Sequence, residues 1–149
     1  MTFRRAALSL ALLVAALPPA AAGERFAGTW AGSYVCAQGS TGLSLRLRAQ
    51  GDGSVVGLFH FYPQASNPEA AEGCYEVAGT PDGQGLELSA GRWLLRPDNY
   101  VTVDLLGELD EDGTYFGHVE GPGCGLFALR RVARPVPPPA ACGAVVSAR

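Results

Sequence analysis

Lysine is absent from this sequence of 149 residues, and the chain contains 11 arginines. The arginines are outnumbered by 14 acidic residues, which gives the chain a formal net charge of −3. A surface of that sign repels phosphate groups. The composition therefore argues against nucleic acid and against an anionic membrane surface as the partner.

Long apolar runs are missing after residue 22, so we expect no membrane insertion in the mature form. The chain begins with a basic segment (1–5), an apolar run (6–17) and a Pro-Pro-Ala-Ala-Ala segment (18–22). This order is typical of a secretory signal peptide, with cleavage expected after Ala22. Removing residues 1–22 leaves nine arginines against 14 acidic residues, a net charge of −5. We expect a periplasmic or secreted protein.

Cysteine is scarce, and no two cysteines form a CxxC pair. The four are Cys36, Cys74, Cys124 and Cys142, which by number alone allow three disulfide pairings. The missing CxxC spacing argues against a structural zinc site, and export favours disulfides. We therefore expect two disulfides, no metal and no cofactor.

An apolar period of 3.6 residues is also missing, whereas alternation with period 2 recurs, most clearly at 43–50. This pattern predicts eight strands, at about 28–36, 43–50, 54–62, 74–80, 85–90, 100–108, 114–120 and 124–132. Short strands separated by turns are typical of an all-β sandwich or barrel. We expect an eight-stranded antiparallel up-and-down barrel over residues 23–133, with a proline-rich tail at 134–149.

Two kinds of connection alternate along the chain. Short turns rich in aspartate and glycine lie at 51–53, 81–84 and 110–113. The other connections are mostly longer, at 37–42, 63–73, 91–99 and 121–123. Alternate connections of a meander lie at the same end, so the barrel should have a turn end and a loop end.

Closure of the barrel by its first and last strands would bring Cys36 and Cys124 together at the loop end. The same pairing would place Trp30 near Arg130 and Arg131, so that an arginine could cover the indole ring. Alternation from an inward Trp30 predicts that Cys36 also points inward. The apolar face of the last strand, Phe127 and Leu129, is out of phase with Cys124, so Cys124 would point outward. We therefore expect a β-bulge within residues 121–125.

The tail after Val132 contains Arg134-Pro135-Val136-Pro137-Pro138-Pro139 and should be a polyproline II segment. The stretch from 132 to 142 would then span about 30 Å, slightly more than an eight-residue strand. The tail can therefore run along the outside of the barrel back to the loop end. Alternation places Tyr75 and Val77 inside and Cys74 outside. Cys74 and Cys142 are the expected second disulfide, which would tether the tail.

Large apolar side chains dominate the positions expected to point inward. They are Trp30, Tyr34, Leu43, Leu45, Leu47, Phe59, Phe61, Tyr75, Val77, Leu86, Leu88, Val101, Val103, Leu105 and Phe127. Eight strands enclose little more than their own side chains or one small ligand. We expect a filled interior.

Two resemblances accompany these patterns. Phe26-Ala27-Gly28-Thr29-Trp30, together with Arg130-Arg131, resembles the calycin signature of lipocalin-like and avidin-like barrels. The chain from Gly28 to Arg131 also resembles a family of uncharacterised exported bacterial proteins, some of which accompany caspase-like peptidases. That resemblance rests on the segments 28–30 (GTW), 34–39 (YVCAQG), 59–63 (FHFYP), 91–97 (GRWLLRP) and 121–124 (GPGC). It implies a small barrel and no known reaction.

Signals for catalysis are sparse. His60 and His118 are the only histidines, and both are expected to face solvent from nonadjacent strands. Ser40 and Thr41 lack the GxSxG context of a hydrolase nucleophile. A non-enzymatic protein is therefore expected, and a hydrolase with an unrecognised site is the least favoured alternative.

The loop end gathers the candidate binding residues, which are Gln38, Tyr62, Asn67, Arg92, Trp93, Arg96 and Tyr100. Aromatic and arginine side chains are enriched at binding hot spots, and loops on a rigid scaffold often carry function. In the competing interpretation, Trp93 and Tyr62 plug the barrel mouth and the arginines pair with Glu69, Glu72 or Asp98.

These observations favour an exported domain that recognises an envelope or extracellular protein or peptide through its loop end. An inhibitor-like role against an envelope enzyme is one version of this function. The alternative is a calycin-type carrier that holds a small molecule in the barrel mouth.

Overall fold

The structure is a computed structural model that describes residues 19–145. Eight antiparallel strands form one closed barrel in which each strand pairs with the next and the last pairs with the first. This confirms the all-β, eight-stranded antiparallel barrel. Most of the expected signal peptide (1–18) and the end of the expected tail (146–149) lie outside the described residues.

A helix precedes the barrel and a 3₁₀ helix follows it. In chain order the elements are α1 (Pro19–Phe26), β1 (Gly28–Cys36), β2 (Gly39–Ala49), β3 (Val55–Tyr62), β4 (Gly73–Gly79), β5 (Gly85–Leu95), β6 (Asp104–Leu109), β7 (Thr114–Glu120), β8 (Leu126–Arg131) and the C-terminal 3₁₀ helix (Ala140–Val145). Helix α1 was not expected from the strand pattern, and it includes the expected cleavage site after Ala22.

The prediction that residues 91–99 form a loop is wrong, because β5 continues to Leu95. Tyr75 pairs with Trp93 and Val77 pairs with Ala90, so two residues of β5, Gly91 and Arg92, lie opposite one residue of β4. A further shift in register follows on the Leu95 side of Trp93. These bulges break the alternation that would have identified the strand.

The barrel interior is filled, and all the expected inward residues are buried except Val101, which is 57% exposed. Four further core residues were not anticipated: Phe26, Val55, Tyr115 and Val119. Among them, Tyr115 donates a hydrogen bond from its hydroxyl to the Leu86 carbonyl (2.7 Å), which allows its polar group to be buried.

Helix α1 closes the turn end of the barrel. Phe26 is fully buried, and its carbonyl accepts a hydrogen bond from the Trp30 indole N–H at 2.8 Å. Arg131 covers the Trp30 ring and donates to the carbonyls of Ala27 and Arg25. The expected contact between an arginine and Trp30 is thus present, and Arg131 makes it.

Both expected disulfides are present. Cys36–Cys124 joins β1 to the segment before β8 at the loop end. The phase difference is accommodated differently from the prediction: β8 begins only at Leu126, and a turn closed by the Cys124 N–H and the Gly121 carbonyl positions Cys124. No bulge inside β8 is needed.

The second disulfide, Cys74–Cys142, holds the C-terminal 3₁₀ helix against the outside of β3, β4 and β5. Leu58, Cys74 and Cys142 form a small buried cluster there, separate from the barrel interior. Residues 132–139, which lead to this helix, contain no regular helix or strand.

The prediction that His60 faces solvent is wrong. His60 points away from the barrel interior, as alternation requires, but it is only 2% exposed. Tyr62 and Glu72 lie beside its ring, and Cys74 is its partner in register on β4. His118 is exposed, as expected.

Candidate functional site

A cleft of about 340 Å³ opens at the loop end of the barrel. It takes residues from β1, β3 and β4 and from the connections that follow β1, β5 and β7. Its lining residues are Tyr34, Cys36, Ala37, Gln38, Phe61, Tyr75, Asn99, Tyr100, Val101, Val103, Pro122 and Cys124. None of these residues carries a charge, so the cleft suits an uncharged group.

Aromatic rings form the deepest part of the loop-end cleft. Phe61 and Tyr100 stack with ring centroids 5.4 Å apart and an interplanar angle of 7°. Tyr75 stacks on Phe59 beneath them at 4.5 Å. The Tyr75 hydroxyl donates to the Val103 carbonyl (2.9 Å) and accepts from the Val103 N–H (3.2 Å). The cleft therefore has a rigid floor that belongs to the packed core.

A small polar network crosses one wall of the cleft. The Gln38 amide donates to the Tyr34 hydroxyl (3.1 Å) and to the Thr41 hydroxyl (3.3 Å). Burial raises the pKa of Tyr34 far above its ordinary value, with the nearby Tyr100 contributing in the same direction, so Tyr34 remains a neutral phenol. The Gln38 side-chain carbonyl has no hydrogen-bond partner among residues 19–145, so it is an available acceptor.

Asn67 has a positioning role in this structure. Its side-chain amide donates to the carbonyl oxygens of Gln38 (2.6 Å) and Ser40 (3.1 Å), which fixes the tight turn between β1 and β2. Gly39 has a φ of 92° in this turn, and a Cβ there would lie 3.0 Å from the Asn67 amide nitrogen. Asn67 thus holds Gln38 at the edge of the cleft without lining the cleft itself.

The segment after β5 forms the opposite lip of the cleft. Tyr100 accepts a hydrogen bond at its hydroxyl from the Ala71 N–H (3.1 Å), which ties this segment to the connection between β3 and β4. Asn99 has a left-handed φ of 64°, and Val101 presents its apolar side chain to solvent. Val101 is therefore an exposed apolar residue on this lip.

Trp93 lies at the edge of the core. Its ring meets Tyr75 edge-to-face at 5.0 Å and Phe61 at 6.2 Å, and it is half-buried. The Arg96 guanidinium lies 5.8 Å from the centre of the Trp93 ring, and its Nε donates to the Tyr100 carbonyl (3.1 Å). These two residues lie behind the cleft and do not line it. The plug interpretation expected Trp93 to cap the barrel mouth and the arginines to pair with Glu69, Glu72 or Asp98, whereas Arg96 contacts Trp93 and Tyr100.

Arg92 and Tyr62 face the outer wall of the barrel. Arg92 is 71% exposed and pairs with Glu76 at 3.0 Å, a contact that raises its pKa. The Tyr62 ring covers Gly42, where a Cβ would lie within 2.3 Å of it. Of the seven candidate residues, the structure therefore brings only Gln38 and Tyr100 into the cleft.

A serine, a histidine and a glutamate meet on the same outer wall. His60 Nε2 lies 2.8 Å from the Glu72 carboxylate, and His60 Nδ1 lies 3.4 Å from the Ser44 hydroxyl. Ser44 is only 1% exposed, so a substrate carbonyl cannot reach its hydroxyl in this conformation. The arrangement satisfies the hydrogen bonds of a buried histidine.

Sequence reasoning assigned Tyr34, Phe61 and Val103 to the core and did not name them as site residues. They are core residues whose upper parts line the cleft, so the two roles coincide. A signal for Tyr34 was present in the sequence, since it opens the segment 34–39 that carries the family resemblance.

Other depressions lie on the outer wall. One of about 380 Å³ lies between Pro135 and the strand residues Thr29, Arg46 and Leu58. Two larger ones, of about 540 and 480 Å³, lie over β2–β5 and over β5–β8, respectively. Within residues 19–145 no group of three or more His, Cys, Asp or Glu side chains could hold a metal ion. No helix in that range is long and apolar enough to cross a membrane.

The chain was compared with protein-family models, curated proteins and solved structures. None of them matches this chain.

Proposed function

We propose that this protein is an exported, non-enzymatic binding domain that recognises a protein or peptide partner at its loop end. The loop-end cleft would receive one side chain of the partner. The observation that carries this proposal is an uncharged, aromatic-floored cleft with the exposed Val101 on its lip. Clefts that combine apolar walls with a few polar groups are the usual form of binding sites.

The packing beneath the cleft favours a surface partner over a carried small molecule. Carriers bury most of the surface of their ligand, whereas Phe59, Tyr75 and Leu45 fill the space below this cleft. A ligand seated here keeps one side open to solvent. That arrangement suits an anchor side chain that remains attached to a larger partner.

The barrel itself supports a calycin-like classification as part of the same proposal. Its eight strands close in sequence order, and Trp30 of the first strand lies beneath Arg131 of the last. The resemblance to exported bacterial barrels adds an envelope or extracellular setting. Two disulfides fit an oxidising compartment of this kind.

Selection from a phage-displayed peptide library against the disulfide-bonded protein tests the proposal. Val101→Asp places a charge on the lip of the cleft, and Leu106→Asp is a matched control on the exposed outer wall. We expect selected peptides to lose about tenfold or more in affinity with Val101→Asp, the loss expected of a hot spot. We expect them to retain affinity with Leu106→Asp.

A selection that yields no peptide, or peptides indifferent to Val101→Asp, would contradict the proposal. Indole and phenol, as small uncharged aromatic probes, distinguish the carrier alternative. If these probes bind in the cleft while no peptide does, the small-molecule function replaces the one proposed here.

A further inference from the structure

The charged side chains around the loop end are mostly acidic. Within the described residues we define the loop-end rim as the charged residues of the loop-end connections and of the adjoining ends of β6 and β7, which are Glu69, Glu72, Arg96, Asp98, Asp104 and Glu120. Arg92 lies beside the rim on the outer wall, where its ion pair with Glu76 adds no net charge. This gives the rim a formal charge of −4, compared with −5 for the chain without residues 1–22. The short turns at the other end of the barrel are also acidic, at Asp52, Asp82, Asp110, Glu111 and Asp112, whereas the rim carboxylates lie around the uncharged loop-end cleft.

Most of this charge is not neutralised within the protein. Glu69, Asp98 and Glu120 have no ion pair or hydrogen-bond partner among residues 19–145. Arg96 is already engaged, since it donates to the Tyr100 carbonyl and lies over Trp93. The one cation of the rim is therefore not positioned to neutralise these carboxylates.

Asp104 and Glu120 are direct partners in register on β6 and β7. Like charges placed opposite each other on neighbouring strands destabilise a sheet. The Asp104 carboxylate accepts a hydrogen bond from the Ala90 N–H (2.7 Å), which partly offsets its negative charge. The Glu120 carboxylate has no such hydrogen bond within residues 19–145. A basic group from a partner would relieve this repulsion.

The cleft inside the rim also favours a particular class of ligand. Its lining has no charged group, and the Gln38 carbonyl at its edge is an available acceptor. An apolar or aromatic side chain fits the floor, and an N–H donor fits Gln38. The rim and the cleft thus favour the same kind of ligand, one that brings hydrogen-bond donors and positive charge around an uncharged anchor.

Resting on the proposed function, we infer that the partner presents a basic segment. An uncharged aromatic or aliphatic side chain of that segment enters the loop-end cleft, and flanking arginines or lysines meet Asp98 and Glu120. Asp98 immediately precedes the lining residue Asn99, and Glu120 lies two residues before the lining residue Pro122. Charge complementarity of this kind raises association rates and rejects acidic competitors.

Four synthetic peptides test the inference by fluorescence anisotropy with the intact protein. Three carry a central tryptophan flanked by arginines, serines or glutamates, and the fourth carries a central alanine flanked by arginines. We expect the arginine–tryptophan peptide to bind about tenfold tighter than the serine–tryptophan peptide at low ionic strength, with the difference shrinking as salt is added. We expect no measurable binding of the alanine or glutamate peptides.

The double variant Asp98→Asn with Glu120→Gln should remove the preference for arginine flanks. The matched control is Glu111→Gln with Asp112→Asn, which removes the same charge at the exposed turn end. If the tryptophan peptides bind equally well whatever their flanks, the charge inference fails while the proposed function stands.

If no tryptophan peptide binds, the proposed function fails as well. If the arginine–alanine peptide binds as tightly as the arginine–tryptophan peptide and ignores Val101→Asp, the attraction is nonspecific and the inference is overturned.

Discussion

The guanidinium carbon of Arg131 lies 4.3 Å from the centroid of the Trp30 ring. The two residues are direct partners across the seam between β1 and β8. The same guanidinium donates to the carbonyls of Ala27 and Arg25, so one side chain joins the first strand, the last strand and α1. This contact closes the turn end of the barrel.

Arg131→Ala should lower the free energy of unfolding by about 1–3 kcal/mol, because it removes a cation–π contact and two charge-assisted hydrogen bonds. Arg130→Ala is the matched control, since Arg130 is exposed and its side chain has no partner within residues 19–145. We expect the control to stay within about 0.5 kcal/mol of wild type. Chemical denaturation measures both, and equal losses in the two variants would refute the seam contact.

Trp30→Ala should lower the free energy of unfolding by about 3–5 kcal/mol, because Trp30 is completely buried. Trp93 is half-buried against Tyr75 and Phe61, so Trp93→Ala should cost less, about 1–3 kcal/mol. Trp93→Phe should recover part of that loss by keeping an edge-to-face contact. Thermal unfolding of the three variants checks this order, and a loss for Trp93→Ala equal to that for Trp30→Ala would make Trp93 a full core residue.

Non-reducing peptide mapping should find Cys36 joined to Cys124 and Cys74 joined to Cys142. Each bond closes a long loop, so removing either pair as a double alanine variant should cost about 2–4 kcal/mol. The variants should differ in their sensitivity to protease. Without Cys74–Cys142, residues 132–145 should be cleaved first while the barrel persists, because this tail lies outside the closed sheet. Detection of a Cys36–Cys74 peptide would contradict the seam.

Alkaline pH should destabilise the fold through its buried tyrosines. Burial raises the pKa of Tyr34, Tyr75 and Tyr115 far above the ordinary value of about 10. The unfolded chain therefore releases these protons at a lower pH than the folded chain. Stability is fully present below about pH 10 and decreases as the pH rises above it.

The measurement is the free energy of unfolding from about pH 8 to about pH 11, together with the tyrosinate absorbance. Tyr115→Phe should weaken the pH dependence by removing one of the three groups. Titration of all five tyrosines of the folded protein near the ordinary value would contradict their burial.

Local alternation determined much of this protein in advance. In a strand, successive side chains point to opposite faces. The positions of Trp30, Leu45 and Tyr75 inside, and of Cys74 outside, could therefore be read from spacing alone. Strand order then assigned Cys36 to Cys124, because closure of a meander brings its first and last strands together.

Alternation failed where the chain departs from regular pairing. The bulge at Gly91 and Arg92 interrupts the period of β5, so Trp93 was predicted in a loop although it pairs with Tyr75. Nothing in the local sequence distinguishes a bulged strand from a loop, since the difference lies in hydrogen bonds to β4. As a result, the predicted patch of Arg92, Trp93 and Arg96 is divided between the outer wall and the core edge.

The sequence by itself determined the strand pattern, the turn chemistry and the expectation of disulfides, because these depend on residues close together in the chain. Only the tertiary structure decided which side chains meet at the loop end. The cleft combines Tyr34 and Gln38 with Phe61, Val101 and Pro122, which come from four separate parts of the chain. His60 is buried by neighbours on other elements for the same reason. Burial and site geometry depend on register and on contacts between distant segments, and no local pattern records either of them.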